Sequence, residues 1–169
     1  MDRPAEYWIK HLGLKAHPEG GYFREVYRST EFIQKKGLPA RYTSFRPFST
    51  SIYFLLKSGQ FSTFHRLKSD EVWHFYKGSP LQLHIIVPDG RLFSVHLGED
   101  PENNRMLQFT IPKDSWFAAR PLLEGSFTLT GCTVAPGFDF DDFEAGSREY
   151  LIKRYPQHRK LIEEYTILP

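Results

Sequence analysis

Between Gly20 and Val134 the chain is a succession of short apolar runs, rich in aromatic residues and separated by turn formers. The runs are "YFREVYRS", "STSIYFLLK", "FSTFHRL", "EVWHFYKG", "LQLHIIV", "RLFSVHLG", "MLQFTIP", "SWFAAR" and "SFTLTGCTV". Their recurrence at roughly 8–12 residues predicts an antiparallel sandwich or barrel and not a series of βαβ units. The breaks are turn signals, at Ser58-Gly59, Lys77-Gly78-Ser79-Pro80 and Pro88-Asp89-Gly90, and "VPDGRLFSV" reads as a hairpin. The flanks are helical. "AEYWIKHLGL" carries Tyr7, Trp8, Ile9, His11 and Leu12 at helical spacing and stops near Gly13. After "APGFDFDDFEAG" comes "SREYLIKRYPQHRKLIEEY", where Ser147 suits an N-cap and Pro156 interrupts a stripe of Tyr150, Leu151, Leu161, Ile162 and Tyr165. One all-β domain over 1–169 is expected, with its barrel at about 20–135 and a helical C-terminal cap at about 147–165.

At 169 residues the chain is long enough for one core and short for two. An aromatic share of 16%, with fifteen phenylalanines, strengthens the strand reading, because aromatic rings pack well on a pleated surface. A formal charge of +2, with the basic residues dispersed, leaves no basic patch, so no nucleic-acid partner is expected. Cys132 is the single cysteine, which excludes an internal disulfide or a cysteine metal cluster and suits a reducing compartment; it reads as a small core residue. "MDRPAEYWIK" is neither signal peptide nor membrane span, and no apolar run approaches ~20 residues. The expectation is a cytoplasmic protein with no membrane partner.

Candidate chemistry centres on "GQFSTFHRLKSDEVWHFYKG", residues 59–78. Read as a hairpin turning at "KSD", period-two alternation places His65 on one strand and Glu71 on the other, both facing inward, with His74 facing away. An imidazole beside a carboxylate supplies an acid/base near neutral pH and the group that orients it, so His65 and Glu71 are the candidate catalytic pair. A second candidate region is "HPEGGYFRE". Gly20-Gly21 permits backbone conformations closed to other residues, and Glu19, Tyr22 or Arg24 would line the pocket mouth, Arg24 being suited to an anionic group. Tyr53 is a candidate proton donor, and Trp73 and Phe75 are candidate stacking surfaces for a ring. The alternating "FDFDDFEAG" reads as a solvated loop pinned by aromatics, since it lacks the spaced oxygen ligands of a calcium loop. His84 and His96 have no partner at ligand spacing and read as surface or satisfied strand histidines.

The spacing of Gly59, His65, Leu67, Glu71 and Gly78 resembles the first motif of the cupin superfamily, which has histidine at the place of Leu67. A second cupin-like segment is "IPKDSWFAA": Pro112 matches the motif's proline, Asp114 replaces its glycine, and Phe117 stands where the last metal-binding histidine usually falls. Together with "HPEGGYFRE", "IYFLL", "FHRLKSDEVWHFYKG" and "GCTVAPGFDFDDFE", the chain from about 15 to 145 resembles the cupin family 5 branch, a domain of unknown function. The resemblance implies a double-stranded β-helix, an RmlC-like jelly-roll barrel with a pocket at one mouth, and a homodimer. Phe117 joins the pocket candidates on this ground. Leu67 and Phe117 cannot donate to a metal, and two remaining protein ligands would leave most of a coordination shell to water, so no metal and no cofactor are expected. Fold analogy suggests a metal-independent sugar or sugar-nucleotide epimerase or isomerase working on a small polar or anionic ligand. The alternatives are a non-catalytic metabolite-binding module and, disfavoured by the missing ligands, a metal-dependent oxygenase.

Overall fold

Most apolar runs form strands, and the strands build two facing six-stranded sheets. The computed structural model describes residues 3–167. In chain order the elements are α1 (Ala5–His11), β1 (Lys15–Ala16), β2 (Tyr22–Arg28), β3 (Phe32–Ile33), β4 (Arg46–Pro47), β5 (Thr50–Lys57), β6 (Ser62–Leu67) and β7 (Glu71–Gly78). There follow β8 (Leu81–Ile86), β9 (Leu92–Leu97), β10 (Arg105–Met106), β11 (Gln108–Ile111), β12 (Trp116–Pro121), β13 (Phe127–Val134), β14 (Phe143–Ala145), α2 (Arg148–Arg154) and α3 (Arg159–Glu164). One sheet has the order β1-β2-β5-β13-β7-β11, the other β10-β9-β8-β12-β6-β14, and β3 and β4 pair separately. The pattern predicts these antiparallel strands and the short helices at both ends, and the jelly roll they form is the fold that the family resemblance implies.

The hairpin expected at residues 59–78 is not formed. β6 pairs with β12 and β14 in one sheet, whereas β7 pairs with β13 and β11 in the other, so the "KSD" turn carries the chain across the barrel. A turn signal specifies a reversal of direction but not whether the next strand stays in the same sheet. "VPDGRLFSV" does form its hairpin, with Ile86 opposite Leu92.

Sheet faces follow alternation. Phe54 of β5, Trp73 and Phe75 of β7, Leu83 and Ile85 of β8 and Phe117 of β12 point between the sheets and form the main core. The opposite parity of β12 and β6, namely Trp116, Ala118 and Phe64, packs under Leu151, Ile162 and Tyr165 of the C-terminal helices. Leu55 and Leu129 pack with Ala5 beside α1. Helix ends obey local rules: α1 stops before Gly13 at φ 62°, and Ser147 Oγ accepts from the backbone of Tyr150 at the start of α2.

One buried ion pair fixes the segment that rims the barrel mouth. Arg46 donates from Nε and Nη2 to the two carboxylate oxygens of Asp142, each at 2.6 Å, and from Nη1 to Ser44 Oγ and the carbonyl of Phe45. Arg46 is 0% exposed and Asp142 4%. Asp142 lies just beyond Phe138 and Phe140 and directly before Phe143, so the pair pins all three rings. Removing one partner from such a pair leaves an uncompensated buried charge, whereas replacing both by apolar residues is often tolerated. Arg46→Met leaves Asp142 only the half-buried Lys68, 3.5 Å from Oδ1, and should therefore cost about 3 kcal/mol in denaturant unfolding, most of which the double variant Arg46→Met/Asp142→Leu should recover. Equal losses in both proteins would show that the charge pairing is not what holds the segment.

Candidate active site at the barrel mouth

A cavity of about 660 Å³, open mouth included, lies at the end of the barrel above the main core. Alternation decides who lines it. On β6, His65 and Leu67 face in; on β7, Glu71 is the inward residue nearest the mouth, and Trp73 and Phe75 continue the same face down into the core. β5 contributes Thr50 and Ile52, and β13 contributes Cys132 and Val134. From β2 come Phe23 and Glu25, and a bulge between Glu25 and Tyr27 shifts the parity so that Arg28 also returns to the cavity. Phe138, Phe140 and Phe143 close the rim.

The loop before β2 carries the polar half of the site. Gly20 at φ 109° and Gly21 at φ 75° admit no side chain, because a Cβ would lie 2.3 Å from the carbonyl oxygen of Phe61 and 2.6 Å from that of Leu55. This close approach sets Glu19 against β6. The backbone N–H of Thr63 donates to the carbonyl of Glu19 at 3.0 Å, and Ser62 Oγ donates to Glu19 Oε1 at 3.0 Å. Glu19 Oε2 lies 3.1 Å from His65 Nε2.

The proton on this contact can be placed by geometry. His65 Nδ1 is 2.7 Å from the carbonyl of Thr63, which only accepts, so Nδ1 carries a hydrogen and donates. In the neutral ring Nε2 is then an acceptor, and Glu19 donates to it as a carboxylic acid. The shifts point the same way. Burial pushes His65 down to about 3, against the Thr63 bond that favours its charged form. Glu19 is raised well above its ordinary value, first by burial and then by the nearby Glu71 carboxylate. Aromatic faces explain the dryness: the His65 ring lies 4.0 Å from Phe117 and 5.4 Å from Phe143, centroid to centroid.

Glu71 faces this pair from the other sheet. Trp73 Nε1 donates to Glu71 Oε2 at 2.9 Å, while Oε1 has no hydrogen-bond partner among the described residues and opens on the cavity. Burial raises Glu71 to about 7, the Trp73 bond opposing. His17 also lines the cavity, and burial lowers it to about 4. His17, Glu19 and His65 are accordingly held toward their uncharged forms and Glu71 sits near its midpoint at neutral pH, while among the described residues lining the cavity the cation is Arg28, at the mouth. Arg28 donates to both oxygens of Glu25 and to the carbonyl of Phe138.

The residues expected from sequence are distributed unevenly. The structure brings His65, Glu71 and Glu19 into one cavity, but the hydrogen-bonded partner of His65 is Glu19 and not Glu71, because β6 and β7 stand in opposite sheets. Trp73, Phe75 and Phe117 lie beneath the cavity, where Trp73 holds Glu71 and Phe117 backs His65. Tyr22 and Tyr53 have the opposite parity and pack on the outer side near α1. Arg24 shares that parity and donates to the carbonyl of Leu12. His74 reaches Thr133 Oγ1 at 3.3 Å on the outer face. The lining residues that the sequence did not offer as site candidates include His17, Phe23, Glu25, Arg28, Thr50, Ile52, Val134 and the rim phenylalanines. The Phe/Asp alternation of "FDFDDFEAG" signals a one-sided aromatic segment, though nothing in it says which surface the rings cover.

A two-layered jelly roll with a buried polar cluster at one mouth is the arrangement of a cupin barrel. The profile of the Cupin superfamily (DUF985) matches residues 6–146, and the chain belongs to that family. Its relatives include the uncharacterised protein YML079W of Saccharomyces cerevisiae, 31% identical over 144 residues, covering 79% of this chain and 71% of that one. Among solved structures, protein SO0799 of Shewanella oneidensis is 38% identical with a TM-score of 0.90, covering 99% of this chain and 100% of that one. A hypothetical protein from Leishmania major is 36% identical with a TM-score of 0.89, covering 98% and 100%. Oxalate decarboxylase from Bacillus subtilis shares the fold at 17% identity and a TM-score of 0.55, with 89% of this chain matching 36% of that one.

The side chains present do not fit the usual cupin metal centre. Leu67 and Phe117 have no donor atoms, and both ring nitrogens of His65 are already committed, to Thr63 and Glu19. Among the described residues, no group of three or more histidine, cysteine, aspartate or glutamate side chains converges so as to hold a metal ion.

Glu71 binds its proton more tightly in the folded chain, at about 7, than at its ordinary 4.5. Its contribution to stability is thus fully present below about pH 4.5 and lost as the pH rises through about 7. Relative to Glu71→Gln, which keeps an acceptor for Trp73, the parent should lose about 3 kcal/mol across that window. Lowered histidines act with the opposite sign in both proteins, so the parent-minus-variant difference is the quantity to measure. A difference that stays flat with pH would sink the assignment.

Proposed function

We propose that the chain is a proton-transfer enzyme of the isomerase or epimerase type, acting on a small polar or anionic molecule at the barrel mouth. The observation that carries this reading is Glu71: a carboxyl group held by Trp73 on one oxygen, open to the cavity on the other, and facing a second proton-bearing pair, Glu19–His65. Two titratable groups set in different environments around one cavity are what proton removal and return require. Glu71, close to half ionised at neutral pH, takes a proton from a carbon of the substrate. The Glu19 carboxylic acid returns one, and His65 Nε2 steadies the Glu19 proton between turnovers. The rim phenylalanines cover a flat face of the ligand and exclude water. Arg28 can exchange Glu25 for an anionic group of the ligand at the mouth, the geometry of its planar fork suiting carboxylate or phosphate.

A second reading, capture of a metabolite without turnover, is favoured by the completeness of the Glu19–His65–Thr63 chain, which leaves His65 no free nitrogen. Incubating the protein in D₂O with a panel of sugars, sugar nucleotides and hydroxy or keto acids separates the two. Proton transfer predicts deuterium at a carbon of one compound class, lost by a factor of at least about 10² in Glu71→Gln and reduced in His65→Ala. Saturable binding with no exchange in the parent would establish the capture reading instead.

A further inference from the structure

His17 lines the cavity without taking part in the Glu19–His65 contact. Its Nδ1 accepts the backbone N–H of Glu19 at 3.2 Å. A nitrogen that accepts carries no proton, so in the neutral ring the proton is on Nε2. Nε2 has no hydrogen-bond partner among the described residues and is not among the buried polar atoms that lack one, so it is accessible from the cavity. The ring is held edge-on to Phe23 at 4.5 Å and to Phe54 at 5.7 Å. The titratable groups facing it are the Glu19 carboxyl, 3.8 Å from Nδ1, and His65. Burial lowers its pKa to about 4, and protonating Nδ1 would also cost the bond from Glu19. His17 is an oriented, uncharged donor with nothing among the described residues to donate to.

We propose that His17 is a further catalytic residue, whose Nε2–H binds a carbonyl oxygen of the substrate and stabilises the negative charge that develops there. This rests on the proton-transfer reading and narrows its substrates to molecules with a carbonyl group beside the labile C–H. When that C–H breaks, the proton goes to Glu71, the C–H electron pair becomes the new C=C bond, and the carbonyl π pair moves onto the oxygen. In a cavity whose lining cation, Arg28, sits at the mouth, that oxygen needs a placed donor deeper inside. A neutral imidazole meets this need and adds no buried charge to the resting site.

The test uses the full chain labelled with ¹⁵N. Long-range ¹⁵N–¹H spectra at pH 7 should show His17 protonated on Nε2 and unprotonated on Nδ1; the other tautomer, or an imidazolium, overturns the proposal. Titration with acetohydroxamic acid, a planar mimic of an enediol, should shift the His17 Nε2 resonance. Affinity should fall about tenfold in His17→Phe, which keeps the ring packing without the donor, and return in His17→Gln, which restores an N–H. No shift, or equal affinity in all three proteins, overturns it, and the tautomer measurement on the parent stands whether or not the variants fold. Deuterium exchange that proceeds at the parent rate in His17→Phe sinks the His17 role alone. An intact His17 response with no exchange in the parent sinks the proton-transfer reading, and the catalytic role of His17 with it.

Discussion

The contact between Glu19 Oε2 and His65 Nε2, 3.1 Å long and almost wholly buried, is where the fold and the site depend on each other. It joins a loop leading into one sheet to a strand of the other, and it is one of three bonds that tie Glu19 to β6. Gly20 and Gly21 make the approach possible, since any side chain there would collide with the backbone of Phe61 or Leu55. Two buried ions at that position would need desolvation worth several kcal/mol each, offset only by their mutual attraction. A neutral acid donating to a neutral base avoids most of this cost.

The strand content is legible in the sequence because most strands are long enough for a period of two to show and are flanked by turn formers. β1, β3, β4, β10 and β14 are missed because two or three residues carry no period. Inward placement of His65 and Glu71 is legible for the same reason, since parity survives even though the hairpin that suggested it does not exist. The partner of His65 is not legible. Glu19 lies more than forty residues upstream of β6, and only the three-dimensional approach of the glycine loop reveals it. Arg24 and Arg28 show a second limit: alternation alone puts both on one face, and the bulge after Glu25 sends Arg28 into the cavity while Arg24 stays outside. A bulge of one residue leaves no mark in a hydrophobic pattern.

Replacement of metal ligands by Leu67 and Phe117 changes the electrostatics of the whole mouth. A cation at the centre of a cupin barrel would favour ionised carboxylates and deprotonated ligands around it. Here apolar side chains occupy those positions, and burial outweighs the opposing hydrogen bonds: carboxyl groups rise, imidazoles fall, and each group moves toward its uncharged form. Phe117 contributes directly, since its ring covers His65 where a ligand histidine would otherwise stand beside it.

The division of charge between floor and mouth then constrains any ligand. An anion driven to the floor would lose its hydration beside two carboxyl groups, with the cation of the lining, Arg28, away at the mouth. At the mouth the balance differs, because Arg28 is partly solvated and its fork is already occupied by a carboxylate, Glu25, in the geometry a ligand would adopt. Exchanging one carboxylate for another costs little, whereas creating a new buried ion pair costs much. The cavity is therefore asymmetric by construction: titratable groups shifted toward their uncharged forms below, the Arg28–Glu25 ion pair above, and the rim phenylalanines held in place from behind by Arg46 and Asp142.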